Sequence, residues 1–184
     1  MKTLSFWAIA LTLVMFLGSA YLGYLSADSG ASKALTDNLR GSLSPLRELG
    51  SLTLMLVIFA NNSLKALAVI LLGVIPFLFP TAFVVLNGFI LGVVVNEALA
   101  ARGIGFTLLG LAPHGVLELA AVLTAVALGF QVGFTVLGSS AGKKGRLGQQ
   151  YKSSLALYLK FILPALFVAA VIETLVGRYV LPRF

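Results

Sequence analysis

Apolar runs of about the length of a membrane span alternate with short polar breaks along most of the chain. The runs cover 4–25, 64–79, 81–101, 113–137 and 153–180. An α-helix needs about 20 predominantly apolar residues to cross the hydrocarbon core of a bilayer. The pattern therefore predicts an all-α, polytopic integral membrane protein with about five transmembrane helices, all within a single membrane domain over 1–184.

The first run has a competing interpretation as a cleavable signal peptide. Ser26-Ala27 follows the run and resembles a small-residue cleavage site. The apolar core of a signal peptide is about 7 to 15 residues long, however, which is shorter than this run. We therefore expect 4–25 to be a retained transmembrane helix.

The segment 28–60 departs from the pattern because polar residues are sustained over its first half. Its leucines recur at helical spacing between charged residues, as Leu35, Leu39, Leu43 and Leu46 show. This spacing is typical of an amphipathic helix that lies along the bilayer surface. We expect 28–60 to be an interfacial segment that ends where Asn61-Asn62-Ser63 interrupts the apolar run.

The stretch 103–137 is too long for one ordinary span, since a straight helix of that length would run to about 50 Å. Proline suits the first turn of a helix and disrupts its interior, so Pro113 is the natural point of division. We predict a broken, re-entrant or tilted piece over 103–112 and a fourth span over 113–137.

Composition excludes several classes of protein and site. The chain is 59% hydrophobic and only 10% charged, with no cysteine, so disulfides and thiolate chemistry are excluded. The net charge of +7 does not indicate nucleic-acid binding, because the basic residues are spread over tails and loops. They suit contact with the lipid bilayer, and we expect no nucleic-acid partner.

The basic loop 138–152 predicts the orientation. It contains Lys143, Lys144, Arg146 and Lys152 and no acidic residue. Loops rich in lysine and arginine stay on the cytoplasmic side of a membrane. Counted through five spans, this rule places the N-terminus in the cytoplasm and the C-terminus outside the cell (plasma) membrane.

The most concentrated polar chemistry in an apolar run is His114 with Glu118, four residues apart and so on one helix face. Such a pair suits proton transfer, cation coordination or general-base chemistry. A structural clasp between helices is the alternative, since polar side chains often join helices in membranes. The candidate intramembrane polar site comprises His114, Glu118, Asn87, Asn96 and Glu97.

Catalytic and metal signatures are missing from the sequence. One histidine and no cysteine cannot supply the usual ligands of zinc, and no H-E-x-x-H spacing occurs. Neither a G-x-S-x-G nucleophile motif nor a Walker loop is present. We therefore expect no catalytic, cofactor-binding or metal-binding residues, no cofactor and no enzyme.

Three motifs together resemble a known family. The chain carries F-A-N-N at 59–62, N-G-F-I-L-G at 87–92 and P-H-G-V-L-E at 113–118. In this order they are similar to the stage II sporulation protein M family of bacterial and archaeal membrane proteins. The positions carried over as signature or packing residues are Asn61, Gly88, Gly92, Pro113 and Gly115. Gly88 and Gly92 also form a small-xxx-small pair, which suits either dimerisation or ordinary helix packing.

The resemblance implies a polytopic helical protein and a scaffold role. The family's namesake resembles a scaffold that holds cell-wall-degrading enzymes at a membrane. From this we expect an integral membrane scaffold or assembly protein whose partners are other membrane or cell-envelope proteins, or a second copy of the chain in a homo-oligomer. The alternative, from the residues, is a small oligomeric channel or transporter with a His114–Glu118 polar site.

Overall fold

The protein is described here from a computed structural model, which describes residues 4–138 and 146–177. In these two ranges the chain is helical and contains five stretches long and apolar enough to cross a membrane. The elements are α1 (Phe6–Leu25), α2 (Gly30–Leu43), a 3-10 turn (Ser44–Glu48), α3 (Ser51–Leu72), α4 (Leu78–Leu137), α5 (Arg146–Leu157), a π-helical turn (Tyr158–Ile162) and α6 (Leu163–Leu175). The predicted all-α membrane architecture is confirmed.

The predicted second span is shifted along the chain. We expected 64–79, with a backward extension toward Leu52 as the alternative and Asn61-Asn62-Ser63 as an interruption, whereas α3 is one helix from Ser51 to Leu72. The polar residues remain inside the helix because Asn62 is hydrogen-bonded to a neighbouring helix and the carbonyl of Ser63 accepts a bond from Tyr158. Of the segment 28–60 that we predicted to be interfacial, the residues from Ser51 onward therefore belong to α3, and α2 and the 3-10 turn precede it.

The chain is broken at Gly103, where the predicted piece 103–112 begins, and the helix continues through Pro113. Helix α4 continues through residues 104–137, so no separate re-entrant piece stands before Pro113 in the part of the chain that is described. The interruption falls at Gly103, whose φ of 75° and ψ of 177° are not helical. Proline is tolerated inside membrane helices, whereas this backbone conformation is essentially confined to glycine.

The chain reverses its direction at Gly103. Val84 and Leu91, before the glycine, line the same cavity as Leu119 and Val126 after it. These residues come together only if the two halves of α4 lie side by side. The reversal divides α4 into a first half (78–102) and a second half (104–137). Most of the apolar stretch Leu78–Leu109 lies in the first half, and the second half contains Gly115–Leu137, whose 23 residues are long and apolar enough for the fourth span.

The last span begins earlier than expected. We predicted a loop to 152 and a span over 153–180, but α5 already begins at Arg146 and leads through the π-helical turn into α6. Pro164 is accommodated in the first turn of α6, directly after that π-helical turn. Residues 139–145 of the predicted loop and 178–180 of the predicted span lie outside the described ranges.

Glycines bring α1 against the first half of α4. A side chain added at Gly88 would overlap Ser19, and one added at Gly92 would overlap the carbonyl of Ala20. Gly23 of α1 is equally close to the backbone of Phe89. The small-xxx-small pair of α4 therefore meets a matching pair, Ser19 and Gly23, inside one chain.

The core lies where α3, the second half of α4 and the last span meet. Its largest fully buried side chains include Ile70, Leu128, Phe130, Ile162 and Leu166. The last span runs antiparallel to α3, since the Tyr151 hydroxyl donates to Leu71 O (2.7 Å), and Phe59 packs edge-to-face on Phe167 at 5.4 Å. These three helices hold the polar groups described next.

Candidate functional site

Glu118 is joined to α3 by a hydrogen bond. The amide Nδ2 of Asn62 donates to Glu118 Oε1 over 2.9 Å. The two helices come this close because glycines face each other further along, where a side chain on Gly73 would overlap the carbonyl of Gly129. An amide bonded to a carboxylate satisfies two groups that would be unfavourable in hydrocarbon if left unpaired.

Two further charged residues surround this hydrogen bond. Lys65, one turn after Asn62 on α3, lies close enough to Glu118 for their opposite charges to interact. Glu173 on α6 lies close enough to Glu118 for the two carboxylates to interact electrostatically. Asn62, Lys65, Glu118 and Glu173, here named the polar cluster, come from three helices, of which the hydrogen bond from Asn62 to Glu118 joins α3 and α4.

The polar cluster extends from the middle of the bundle toward one end. Asn62 is near the centre of the 22-residue helix α3, which is about 33 Å long at 1.5 Å per residue. Because the last span is antiparallel to α3, Glu173 lies toward the end of the bundle where α3 begins. Asn62 and Glu118 are half-buried, whereas Lys65 is exposed on the outside of the bundle.

A cavity of about 580 Å³ separates the two halves of α4. Its lining is apolar except for a few groups, among them Asn87, Thr107 and Glu118. Glu118 therefore contributes to the cavity wall and to the polar cluster at once. A cavity of this size with few polar groups is typical of a site for an apolar or amphiphilic molecule.

Of the residues that we predicted as one site, the structure brings Asn87 and Glu118 to one cavity and gives Asn96 and Glu97 contacts elsewhere. Asn87 lines the cavity, but its Nδ2 donates to Phe83 O of its own helix (2.8 Å). Asn96 donates to Tyr24 O (3.1 Å), which ties α4 to the end of α1. Glu97 accepts a hydrogen bond of 2.9 Å from Thr36, which ties α4 to α2.

For the His114–Glu118 hypothesis, the structure describes the side chain of Glu118 but not that of His114. His114 lies in the helix one turn before Glu118, but its side chain lies outside what the structure describes. Pro113 also lies in the helix, and its side chain is likewise outside what the structure describes. Gly115 lines the cavity beside Glu118, and Asn61 donates to Asn62 Oδ1 (3.2 Å) at the edge of the polar cluster.

Sequence reasoning missed Asn62, Lys65 and Glu173 as members of the cluster. The signal was present, because Asn62 and Lys65 are three residues apart and so share one face of a continuous helix. Dividing the run at Asn61-Asn62-Ser63 placed both near a helix end, where polar groups are unremarkable. Glu173 gave no local signal, since only helix packing brings it toward Glu118.

The arrangement provides hydrogen bonding and charge inside the bundle. Among the side chains that the structure describes, which do not include that of His114, no group of three or more histidine or acidic residues converges to hold a metal ion. The polar cluster combines one cation, two carboxylates and an amide, which suits either helix–helix association or the transfer of a proton or ion.

Comparison with known proteins gives one family. A family model described as stage II sporulation protein M matches residues 12–178, which is most of the chain. No curated protein matches in these comparisons, and no solved structure does.

Proposed function

Since this chain belongs to the stage II sporulation protein M family, a match that extends over 12–178, we propose that it is a membrane scaffold that binds a partner's transmembrane helix. The binding surface in this proposal is the outer face of α3 that carries Asn61 and Lys65, here named the α3 face. We further propose that the protein has no catalytic activity of its own and no nucleic-acid partner.

The observation that carries the proposal is the exposure of polar groups at membrane depth. Asn61 and Lys65 are four residues apart on α3, and both are exposed on the outside of the bundle. Asn61 lies about 16 Å from the end of α3 at Leu72, which is near the middle of a hydrocarbon core of about 30 Å. Exposed amides and cations at this depth are unfavourable in lipid and are usually covered by protein.

Charge complementarity defines the partner. Glu118 already accepts a hydrogen bond from Asn62, and Lys65 extends from the same cluster to the outside. A helix with an aspartate or glutamate near its centre would pair with Lys65 and accept from the Asn61 amide. We therefore propose a partner transmembrane helix with one acidic residue, from another membrane protein or from a second copy of this chain.

Site-specific photocrosslinking in native membranes tests the proposal. A photoreactive residue at Asn61 should give one adduct, whose partner is identified by mass spectrometry and carries an acidic residue within a span. The same residue at Val14, which is 71% exposed on α1, should give no adduct beyond the background from lipid. Lys65→Leu should abolish the adduct at Asn61.

Lys160 supplies the matched control. It is also an exposed lysine within a span. Its depth in the membrane is close to that of Lys65, because Tyr158, two residues before Lys160, is hydrogen-bonded to Ser63, two residues before Lys65. Lys160→Leu should leave the Asn61 adduct unchanged. Equal loss in both variants, or an adduct that persists in Lys65→Leu, would contradict binding through the α3 face.

A small channel or transporter is the second candidate, and one observation favours it. Glu118 reaches both the cavity between the halves of α4 and the charges of Lys65 and Glu173. Linked ionisable groups beside a cavity resemble the way proton and ion pathways are built in membranes.

Flux from liposomes distinguishes the two candidates. Purified protein should give no proton or ion flux if it is a scaffold. Flux that Glu118→Gln abolishes would replace the scaffold proposal with transport, since glutamine can still accept the bond from Asn62 but carries no charge. An unchanged unfolding midpoint of Glu118→Gln in detergent would show that its loss of flux is not a loss of fold.

A further inference from the structure

A second cavity, of about 270 Å³, lies at the end of the bundle where three helices meet. Ser5 precedes α1, Gln131 and Thr135 belong to the last turns of α4, and Arg146 and Gln150 belong to the first turns of α5. This polar end cavity is separate from the polar cluster and from the apolar cavity between the halves of α4. Its volume of about 270 Å³ is enough for one compact polar group.

The lining of the polar end cavity consists of hydrogen-bonding groups around one cation. The four uncharged polar side chains are those of Ser5, Gln131, Thr135 and Gln150, and Arg146 is the charged member of the described lining. Gln150 is 97% buried and donates from Nε2 to Ser154 Oγ (3.2 Å), so this wall is held in place by the helix itself. The amide N–H of Ser5 donates to Gln131 Oε1 (3.5 Å), which joins α1 to α4 here.

The sequence around these three helix ends carries charge of one sign. The sequence has no acidic residue before Asp28 and none between Glu118 and Glu173. It has five basic residues next to these three helix ends, namely Lys2, Lys143, Lys144, Arg146 and Lys152. An anion would therefore be attracted by these cations, with no acidic residue nearby in the sequence to repel it. The planar guanidinium of arginine also matches the geometry of a phosphate.

From the cavity, its arginine and this one-sided charge, we infer that the polar end cavity binds a phosphate group. Basic pockets between transmembrane helices at a membrane surface suit the phosphates of anionic lipids. Phe134 adds an apolar wall that is 37% exposed, and this wall suits the first methylenes of a lipid chain. Free inorganic phosphate shares the same chemistry, so the test separates these two sources.

Native mass spectrometry of the delipidated protein with added lipid tests the lipid source. Phosphatidylglycerol should bind more tightly than phosphatidylcholine, because its headgroup keeps the net negative charge of the phosphate. Arg146→Gln should weaken phosphatidylglycerol binding about tenfold by removing a charge-assisted, two-pronged contact. Thermal unfolding with and without millimolar inorganic phosphate tests whether free phosphate binds. If it does, phosphate should raise the unfolding temperature of the wild type and not that of Arg146→Gln.

Lys152→Gln is the control for general attraction to the basic end. Lys152 is an exposed cation on the same helix, and it does not belong to the described lining of the cavity. Its substitution should change binding by no more than about twofold. A preference for phosphate, from either source, that depends on Arg146 and not on Lys152 supports the site.

Three results would overturn it. The first is an equal loss of phosphatidylglycerol affinity in Arg146→Gln and Lys152→Gln. The second is equal binding of the two lipids together with no effect of inorganic phosphate on unfolding. The third is tight binding of phosphatidylglycerol that is retained in Arg146→Gln. The side chain of Arg146 is exposed, so its variant should unfold at the wild-type temperature when no ligand is present. That measurement excludes misfolding as the cause of weakened binding.

Discussion

At the scale of single residues, Gly103 decides the path of the chain through the membrane. Without a reversal there, the 60 residues of α4 would form a helix of about 90 Å, three times the thickness of the hydrocarbon core. The backbone at Gly103 has φ of 75°, and no atom lies within 4 Å of the place where a side chain would begin. Its requirement for glycine is therefore conformational rather than steric.

Gly103→Ala tests this requirement. We expect the free energy of unfolding in mixed detergent micelles to fall by about 1–3 kcal/mol, the usual range for a residue forced into such a conformation. Gly105→Ala is the control, since Gly105 is helical with open space around it. That change should stabilise by about 0.5–1 kcal/mol through helix propensity, and equal effects of the two changes would contradict the argument.

The hydrogen bond from Asn62 to Glu118 permits a second residue-scale prediction. A double-mutant cycle with Asn62→Ala and Glu118→Ala should give a coupling energy of about 0.6 kcal/mol, the average for hydrogen bonds between membrane helices. Glu118→Gln should retain most of this coupling because its amide oxygen accepts the same bond. Coupling near zero by equilibrium unfolding would mean that the pair does not join α3 to α4.

At the scale of elements, glycine contacts set which helices are neighbours. The backbone of α1 lies against the first half of α4 because Gly88 and Gly92 leave room for it. The hypothesis that this pair mediates dimerisation loses its physical basis, since the same surface is occupied within the chain. A dimer of this protein would have to use another face, such as the α3 face.

Gly92→Ala should therefore disrupt one helix pair. A Cβ there overlaps the backbone carbonyl of Ala20, so α1 must move away, and overpacking of this kind destabilises by about 1–3 kcal/mol. The control is Gly18→Ala on the exposed side of α1, where nothing lies within 4 Å. Thermal unfolding in detergent should separate the two variants, and equal midpoints would argue against this helix pairing.

At the scale of the whole molecule, orientation in the membrane follows from charge rather than from the fold. The basic loop predicts a cytoplasmic N-terminus and an external C-terminus. The chain has no cysteine, so single cysteines report on sidedness without background. In intact cells, a membrane-impermeant thiol reagent should label Ser44→Cys, an exposed position after α2, and should label Ser139→Cys only after permeabilisation. The reverse pattern would invert the topology.

The sequence by itself determined the class of this protein, its family and the existence of most spans. Each depends on composition or on a local pattern, and burial of apolar side chains in lipid requires no knowledge of neighbours. It also located the charge asymmetry from which orientation is predicted. Glu118 stood out for the same reason, as an acid within an apolar run.

Only the tertiary structure decided where the chain turns and which polar groups meet. Pro113 had the stronger local signal for a break, yet the chain reverses at Gly103, because a membrane helix can contain a proline whereas the turn needs positive φ. Asn96 and Glu97 looked like companions of Glu118 but contact α1 and α2 instead. Helix packing brings Lys65 and Glu173 close enough to Glu118 for their charges to interact, although these residues are far apart in the chain and no local pattern relates them.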